Sequence, residues 1–153
     1  MTSAHPSVTD DPRIRSLLER PNHAVVATMN ADGSIHAAVV WVDIEGGRLA
    51  LNSVVNRAWA INLIRDPRVT VVVADETNSY DYVEVRGTAV RGGVDAEVLA
   101  DRQAHKYLGE VVYPFRAEGE ERVAFLVEPQ RVRYRSKPAG GGAQPLAADD
   151  GAT

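Results

Sequence analysis

The sequence of 153 residues contains no cysteine. It therefore holds no disulfide framework, no thiolate nucleophile, no iron–sulfur cluster and no zinc site built on cysteine. Aromatic residues make up only 6% of the chain, so we expect a core built mostly from Val, Ala, Leu and Ile. With 17 basic and 21 acidic residues the formal net charge is −4, which argues against nucleic acid or an anionic membrane as the main partner.

Long apolar segments are missing as well. The chain has no run of about 18 apolar residues, the length that a membrane-spanning helix needs. No apolar stretch follows Met1 as it would in a signal peptide. We therefore expect a soluble, cytoplasmic protein. Its length suits one domain, because a single core typically serves about 100–200 residues.

Familiar catalytic signatures are also absent from the sequence. There is no GxGxxG, P-loop, GxSxG or HExxH motif, and the one glycine run, at residues 140–142, follows no strand pattern. The four histidines are scattered at positions 5, 23, 36 and 105, with no pair at metal-ligand spacing. We predict no metal site, and the sequence singles out no catalytic residue.

The hydrophobic pattern predicts a mainly β chain with three short helices. Val-rich or alternating runs between turn residues predict strands at residues 23–29, 35–43, 48–53, 69–75, 82–90 and 122–132, the last interrupted at Pro129. Apolar residues spaced three and four apart predict helices at residues 12–19, 56–66 and 96–108. We expect the first three strands to form an antiparallel meander, and the whole chain to form a small antiparallel barrel.

Both ends of the chain are polar. Residues 1–11 precede the first helix and are expected to be a flexible N-terminus outside the core. From residue 137 onward the composition is of low complexity, which predicts a disordered tail over residues 137–153. The folded domain is therefore expected to span residues 12–136.

The segment after the third predicted strand has the character of an anion site. Asn52, Ser53 and Asn56 supply polar side chains, and Arg57 stands at the start of the following helix. Backbone N–H groups at a helix start, with a cation beside them, suit a phosphate group. A plain strand–loop–helix connection with solvated arginines explains the same residues, so both interpretations stay open at this point.

Five segments together resemble the split β-barrel flavin and deazaflavin oxidoreductases, the pyridoxamine 5′-phosphate oxidase-like proteins. They read HAVVATMNADGSIHAAVVWVD (23–43), NRAWAINLIRDPRVTVVVAD (56–75), YDYVEVRGTAV (80–90), KYLGEVVYPFRAEGEERV (106–123) and VEPQRVRYR (127–135). The most similar branch is the actinobacterial group that uses coenzyme F420. The resemblance runs from about residue 21 to residue 132. It implies an antiparallel split β-barrel, also known as the FMN-binding split barrel, with short helices.

This resemblance further implies a homodimer with two equivalent cofactor clefts at the subunit interface. On the phosphate side of the cofactor, the matching positions are Asn52, Ser53, Arg57, Asn62 and Arg65. Val39 and Trp41 match positions near the cofactor ring. Tyr80 and Tyr82 match an aromatic segment that the partner subunit contributes.

The chain departs from the family pattern within the phosphate segment. Trp59 stands where a lysine is usual, and Ile61 and Ile64 stand at two further positions that are commonly basic. Arg57, Arg65 and Arg68 remain as cations. The indole of Trp59 would either stack on a cofactor ring or pack against the barrel.

The resemblance implies an oxidoreductase that uses F420 to transfer a hydride between the deazaflavin and a small organic substrate with an activated double bond. Two alternatives stay open: an FMN-dependent oxidase or reductase of the same fold, and a protein without enzymatic activity that binds a cofactor or haem. The substrate is not identified by the sequence. Tyr80, Tyr82 or an ordered water would be available to protonate the reduced substrate, and none of them is favoured.

Overall fold

The computed structural model describes residues 6–138, whose strands form one antiparallel sheet. The strands are β1 (Ala24–Met29), β2 (Ile35–Val40), β3 (Asp43–Glu45), β4 (Arg48–Val54), β5 (Arg68–Asp75), β6 (Asn78–Arg91) and β7 (Arg122–Arg135). The helices are α1 (Pro12–Glu19), α2 (Ala58–Arg65) and α3 (Ala96–Leu108). The order across the sheet is β2-β1-β5-β6-β7-β4-β3. The mainly β prediction with short helices is confirmed.

The predicted meander of three strands is wrong, because the second apolar run contains two strands. β2 ends at Val40, and the chain leaves the ladder at Trp41 and Val42 before β3 begins. β2 pairs with β1, whereas β3 pairs with β4. β4 then lies beside β7, where Leu51 is opposite Phe125. Side-chain alternation specifies the face of each residue but not the neighbouring strand.

β6 and β7 are longer than the sequence predicted, with 14 residues each. β6 begins at Asn78, four residues before the start predicted from the sequence. β7 continues through Pro129, which lies opposite Gly87 of β6. The register of the two strands shifts at this point and forms a β-bulge, where a proline is tolerated. A Cβ on Gly87 would lie 2.1 Å from the carbonyl oxygen of Glu128, so only glycine fits at this close approach.

The main core is aliphatic, as the composition predicted. Val71 and Val73 of β5 and Val83 and Val85 of β6 are fully buried in one cluster. Their neighbours in sequence are only partly buried, which is the period of two expected for a sheet with one face on the core.

The segment before α1 contributes one residue to this core. Val8 is fully buried, and its N–H donates to the carbonyl of Gly47 at 3.0 Å. The expectation that residues before the first helix stay outside the core is therefore wrong at Val8. The flexibility predicted for residues 1–5 and the disorder predicted from residue 139 onward lie outside the described residues.

α3 has the predicted bounds, because both ends carry strong local signals. The Asp95 side chain caps the first turn by accepting from the N–H of Val98 at 3.0 Å, and Gly109 ends the helix with φ 73°. Its buried face consists of Leu99, Ala100, Gln103 and Ala104. Leu108, at the end of the helix, is exposed. No helix within residues 6–138 is long and apolar enough to cross a membrane.

Replacing Gly87 by alanine is expected to destabilise the fold by about 1–3 kcal/mol, the usual cost of overpacking. The added Cβ would meet backbone atoms of β7, which cannot rotate away as a side chain would. The measurement is the free energy of unfolding in urea. Arg91→Ala, at the exposed end of the same strand, is the control and is expected to change that free energy by less than about 0.5 kcal/mol. Equal unfolding midpoints for the two variants would contradict this prediction.

Candidate functional site

A cleft of about 210 Å³ opens beside the end of β2, the end of β4 and the start of α2. The predicted site residues that line it are Val39, Trp41, Asn52, Ser53 and Arg57. The residues in the lining that the sequence did not single out include His23, Gln103, Tyr113, Phe115 and Arg122. The cleft therefore combines cationic, amide and hydroxyl groups with several aromatic rings.

Arg57 provides a cation at the start of α2. It occupies the N-cap position, and no side chain caps this end of the helix. Its own guanidinium is exposed and makes no hydrogen bond or ion pair to residues 6–138. The N–H of Arg57 donates to the carbonyl of Val54 at 3.1 Å, which fixes the turn between β4 and α2. An uncapped helix start with an unpaired cation beside it attracts an anion such as phosphate.

A second arginine, Arg122, is buried in the wall of the cleft. Its guanidinium donates to Asn52 Oδ1 at 2.6 Å and to the carboxylate of Glu120 at 3.1 Å. The same guanidinium lies 4.1 Å from the centroid of the Tyr113 ring. Asn52 in turn donates to the carbonyl of Ala96 at 2.6 Å. The charge of Arg122 is thus balanced inside the protein, and its contacts hold two lining side chains in place.

Trp41 forms an aromatic wall at the corner between β2 and β3. Its ring stacks on Tyr107 of α3, with centroids 5.1 Å apart and planes at 4°, and Tyr113 meets it edge-on at 6.1 Å. The Tyr107 hydroxyl accepts from the N–H of Val42 at 3.1 Å and donates to the carbonyl of Asn22 at 2.7 Å. Burial raises the pKa of Tyr107 to about 12, so its hydroxyl stays protonated at neutral pH. A fixed aromatic plane of this kind suits a planar ligand ring.

His23 enters the cleft from the position directly before β1. Its Nδ1 is hydrogen-bonded to the carboxylate of Glu76, in the turn between β5 and β6, and its ring centroid lies 5.3 Å from that of Tyr107. The hydrogen bond from His23 lowers the pKa of Glu76, so the carboxylate is ionised at neutral pH. Nothing local in the sequence signals this pair, because its members are 53 residues apart. Within residues 6–138, no three His, Asp or Glu side chains are arranged to hold a metal ion.

A loop over residues 109–121 brings Tyr113 to the cleft. Arg116 attaches this loop to α3 by donating to Glu97 at 2.7 Å and to Asp101 at 2.8 Å. The N–H of Tyr113 also donates to Asp101 at 2.8 Å. These hydrogen bonds, from the Tyr113 backbone and then from Arg116, lower the pKa of Asp101 and keep it ionised at neutral pH. The aromatic part of the lining therefore depends on an anchored loop.

Three predicted site residues, Trp59, Asn62 and Arg65, do not line the cleft. Trp59 is only 3% exposed and lies in the core, where its ring centroid is 6.1 Å from that of Phe125. Of the two roles expected for this residue, packing against the barrel is the one observed. Asn62 is buried and donates to Thr28 Oγ1 at 3.0 Å, while Arg65 donates to Asn62 Oδ1 at 3.0 Å. These two residues tie α2 to β1.

Tyr80 and Tyr82 are also absent from the cleft lining of their own chain. Both lie near the start of β6. Tyr82 is opposite Ala74 of β5 and points away from the core, since the alternate residues Val83 and Val85 are buried. Their contribution to the cleft of a partner subunit stays a prediction.

Comparison with family models identifies this architecture. The pyridoxamine 5′-phosphate oxidase model matches residues 10–136. The chain belongs to this family. The match, together with the sheet of seven antiparallel strands, confirms the predicted split-barrel fold. Comparison with curated proteins finds no significant match.

Several solved structures are similar to this family member. An F420 reductase is 28% identical with a TM-score of 0.68, and the alignment covers 78% of this chain and 94% of that one. A conserved hypothetical protein from Mycobacterium tuberculosis is 20% identical with a TM-score of 0.67, over 93% and 99% of the two chains. A heme binding protein from Mycobacterium smegmatis is 22% identical with a TM-score of 0.61, over 86% and 55%. The similarity to the last two structures shows only that they share the fold of this chain.

Arg116→Gln is expected to loosen the loop over residues 109–121, because the charge that joins it to Glu97 and Asp101 is removed. Tyr113 would then leave the edge of Trp41, whose fluorescence should become easier to quench with acrylamide. The other tryptophan is buried in the core and is shielded from the quencher.

The matched control for this experiment is Arg15→Gln. Arg15 forms an exposed ion pair with Glu19 at 2.8 Å within α1 and contacts no residue of the loop. It is expected to leave the quenching constant unchanged. If Arg116→Gln and Arg15→Gln give the same quenching constant, Arg116 does not anchor the loop.

Proposed function

We propose that this protein binds coenzyme F420 in the cleft and transfers a hydride between the deazaflavin and a small organic substrate with an activated double bond. The observation that carries this proposal is the presence of two complementary groups in one cleft. Arg57 is a cation without a partner among residues 6–138, and Trp41 presents a fixed aromatic plane. A cofactor with a phosphate group and a planar ring needs both. The likeness to an F420 reductase supports the choice of cofactor.

The residues of the cleft fit such a cofactor. Arg57 and the backbone N–H groups in the first turn of α2 would hold the phosphate. Asn52 and Ser53, at the end of β4, would add hydrogen bonds, and Val39 and Trp41 would lie beside the ring. When bound, F420 supplies the hydride, while the protein positions ring and substrate and excludes water between them.

Arg57 is expected to carry most of the phosphate affinity. The position that is usually a lysine in the family is Trp59, which lies in the core, and Arg65 is engaged with Asn62. Neither is available to a ligand in the cleft. The phosphate side therefore depends on one exposed arginine and the helix start beside it.

Arg57→Ala is expected to weaken F420 binding by about 1.5–3 kcal/mol, the usual range for a hydrogen bond to a charged group. This corresponds to a dissociation constant larger by roughly 10- to 150-fold. The measurement is a fluorescence titration of F420 with each purified variant. The urea midpoint should not change, because an exposed arginine contributes little to stability.

The control for this titration is Arg13→Ala. Arg13 lies in α1, pairs with Asp11 at 2.8 Å and is absent from the cleft lining. It should leave the affinity for F420 unchanged. If Arg57→Ala binds F420 within twofold of the wild type, the phosphate site is assigned to the wrong residue.

The same titration distinguishes F420 from two alternative ligands, FMN and haem. FMN also combines a phosphate with a planar ring, and a heme binding protein shares the fold. We expect the wild-type protein to bind F420 more tightly than FMN or haem. Tighter binding of FMN would make the protein an FMN-dependent oxidoreductase, and tighter binding of haem without turnover would make it a binding protein.

We also propose that a second copy of the chain covers the outer face of β1 and β2. Three apolar cross-strand pairs share this face, namely Val25–Val39, Ala27–Ala37 and Met29–Ile35. Ile35 is 72% exposed and Val39 is 70% exposed, which leaves an apolar patch of the kind that marks interfaces. Val39 also lines the cleft. A copy seated on this face would therefore lie next to the cleft and border it.

Tyr80 and Tyr82 fit this arrangement as residues that reach the partner's cleft. β5 joins their strand to β1, and Val72 of β5 lies opposite Val25 on the outer face. Tyr82 projects from that same face, opposite Ala74. A subunit that packs against this face would meet the tyrosines.

Light scattering at micromolar concentration is expected to give twice the monomer mass of 16.6 kDa. Ile35→Asp places a charge in the apolar patch and should shift the mass toward the monomer. Val111→Asp is the control, since Val111 is equally apolar and 82% exposed but lies on the loop. A wild-type mass near that of the monomer would contradict the dimer.

A further inference from the structure

The cleft contains a histidine–carboxylate pair that the proposed cofactor contacts do not use. We propose that His23 is the residue that exchanges a proton with the substrate, and that Glu76 is its positioning residue. This role rests on the proposed function, because it completes the reduction of an activated double bond.

The contacts of His23 leave one ring nitrogen available. Nδ1 is bonded to the Glu76 carboxylate, and the backbone N–H of His23 lies 3.4 Å from the same carboxylate oxygen. Tyr107 packs against the ring with centroids 5.3 Å apart. Nε2 makes no hydrogen bond to residues 6–138, and the side chain lines the cleft. A carboxylate on Nδ1 selects the tautomer with hydrogen on Nδ1, so Nε2 is the nitrogen that gains and loses a proton.

Reduction of an activated double bond requires a hydride at one atom and a proton at the other. The substrate receives the hydride, with its two electrons, from the reduced deazaflavin and the proton from Nε2 of protonated His23. The histidine regains a proton from solvent. Two-electron oxidation of a bound reduced deazaflavin would also return one N–H proton to solvent, so solvent would lose one proton and gain one.

The other hydroxyl and carboxyl groups near His23 are engaged elsewhere. The Tyr107 hydroxyl is held by Val42 and Asn22, and its raised pKa makes it a weak acid. Asp75, next to Glu76 in sequence, forms an ion pair with Arg20 at 2.7 Å. Among these neighbours, His23 alone combines a place in the cleft lining with a nitrogen that has no protein partner among residues 6–138.

The positioning role of Glu76 is tested without cofactor by NMR. Two-bond ¹H–¹⁵N spectra of the apo protein distinguish the two neutral tautomers of each histidine. We expect neutral His23 to carry its hydrogen on Nδ1 in the wild type and to lose this preference in Glu76→Ala. A wild-type His23 with its hydrogen on Nε2 would overturn the assignment.

The catalytic role is tested with F420H2 as reductant and 2-cyclohexen-1-one as the probe substrate. His23→Ala is expected to lower kcat by about 100-fold or more, the usual contribution of a positioned general acid. The dissociation constant of F420 should stay within twofold of the wild type. Free imidazole in the buffer should restore part of the rate in His23→Ala, and Glu76→Ala should show a smaller loss of kcat.

His105→Gln is the matched control, since His105 is exposed on α3 and does not line the cleft. It should retain the wild-type kcat. An unchanged kcat in His23→Ala, or a lower kcat that imidazole does not raise, overturns the role of His23. So does a wild-type protein that binds F420 but oxidises no F420H2 with this probe, which leaves the cofactor assignment intact. A wild-type protein that fails to bind F420 overturns the proposed function and this role with it.

Discussion

The corner between β2 and β3 depends on two side chains in the last turn of α3. The chain leaves the sheet ladder at this corner, so its backbone polar groups need partners from elsewhere. The N–H of Val42 donates to the Tyr107 hydroxyl at 3.1 Å, and the carbonyl of Val42 accepts from Lys106 Nζ at 2.7 Å. Because the N–H and the carbonyl of Val42 both have hydrogen-bond partners, the backbone at the corner is held in one conformation. Trp41 then lies flat on Tyr107 and forms one wall of the cleft.

The corner also explains which residues meet at the cleft. After this corner the chain forms β3 and β4, and β4 pairs with β7 instead of β2. Val54 at the end of β4 is therefore opposite Arg122 at the start of β7, and Arg122 bonds to Asn52. The next turn of the chain places Arg57 at the start of α2, within the same cleft. Residues distant in sequence thus become the lining of one site.

Of the three apolar residues in α2 that depart from the family pattern, Trp59 has a structural explanation, whereas Ile61 and Ile64 are exposed. Apolar residues occupy positions that are commonly basic in the family, and one of them, Trp59, packs beside Phe125 in the core. Arg65 is used to hold Asn62. The segment therefore contributes to the packing of α2, and Arg57 at the N-cap is the residue of this segment that lines the cleft. Under the proposed function, affinity for F420 would depend more on Trp41 and on the proposed second copy of the chain than on several cations.

The features that arise from local periodicity and local hydrogen bonds could be predicted from the amino-acid sequence. The alternation in β6 and the Asp95 cap of α3 were predictable because each involves residues a few positions apart. The fold as a whole sets which strands are neighbours, since the alternation of side chains is the same whichever strand pairs beside it. It also decided that Trp59 is buried and that His23 meets Glu76, 53 residues away. Such contacts depend on how separate elements pack together, and no local pattern in the sequence encodes that packing.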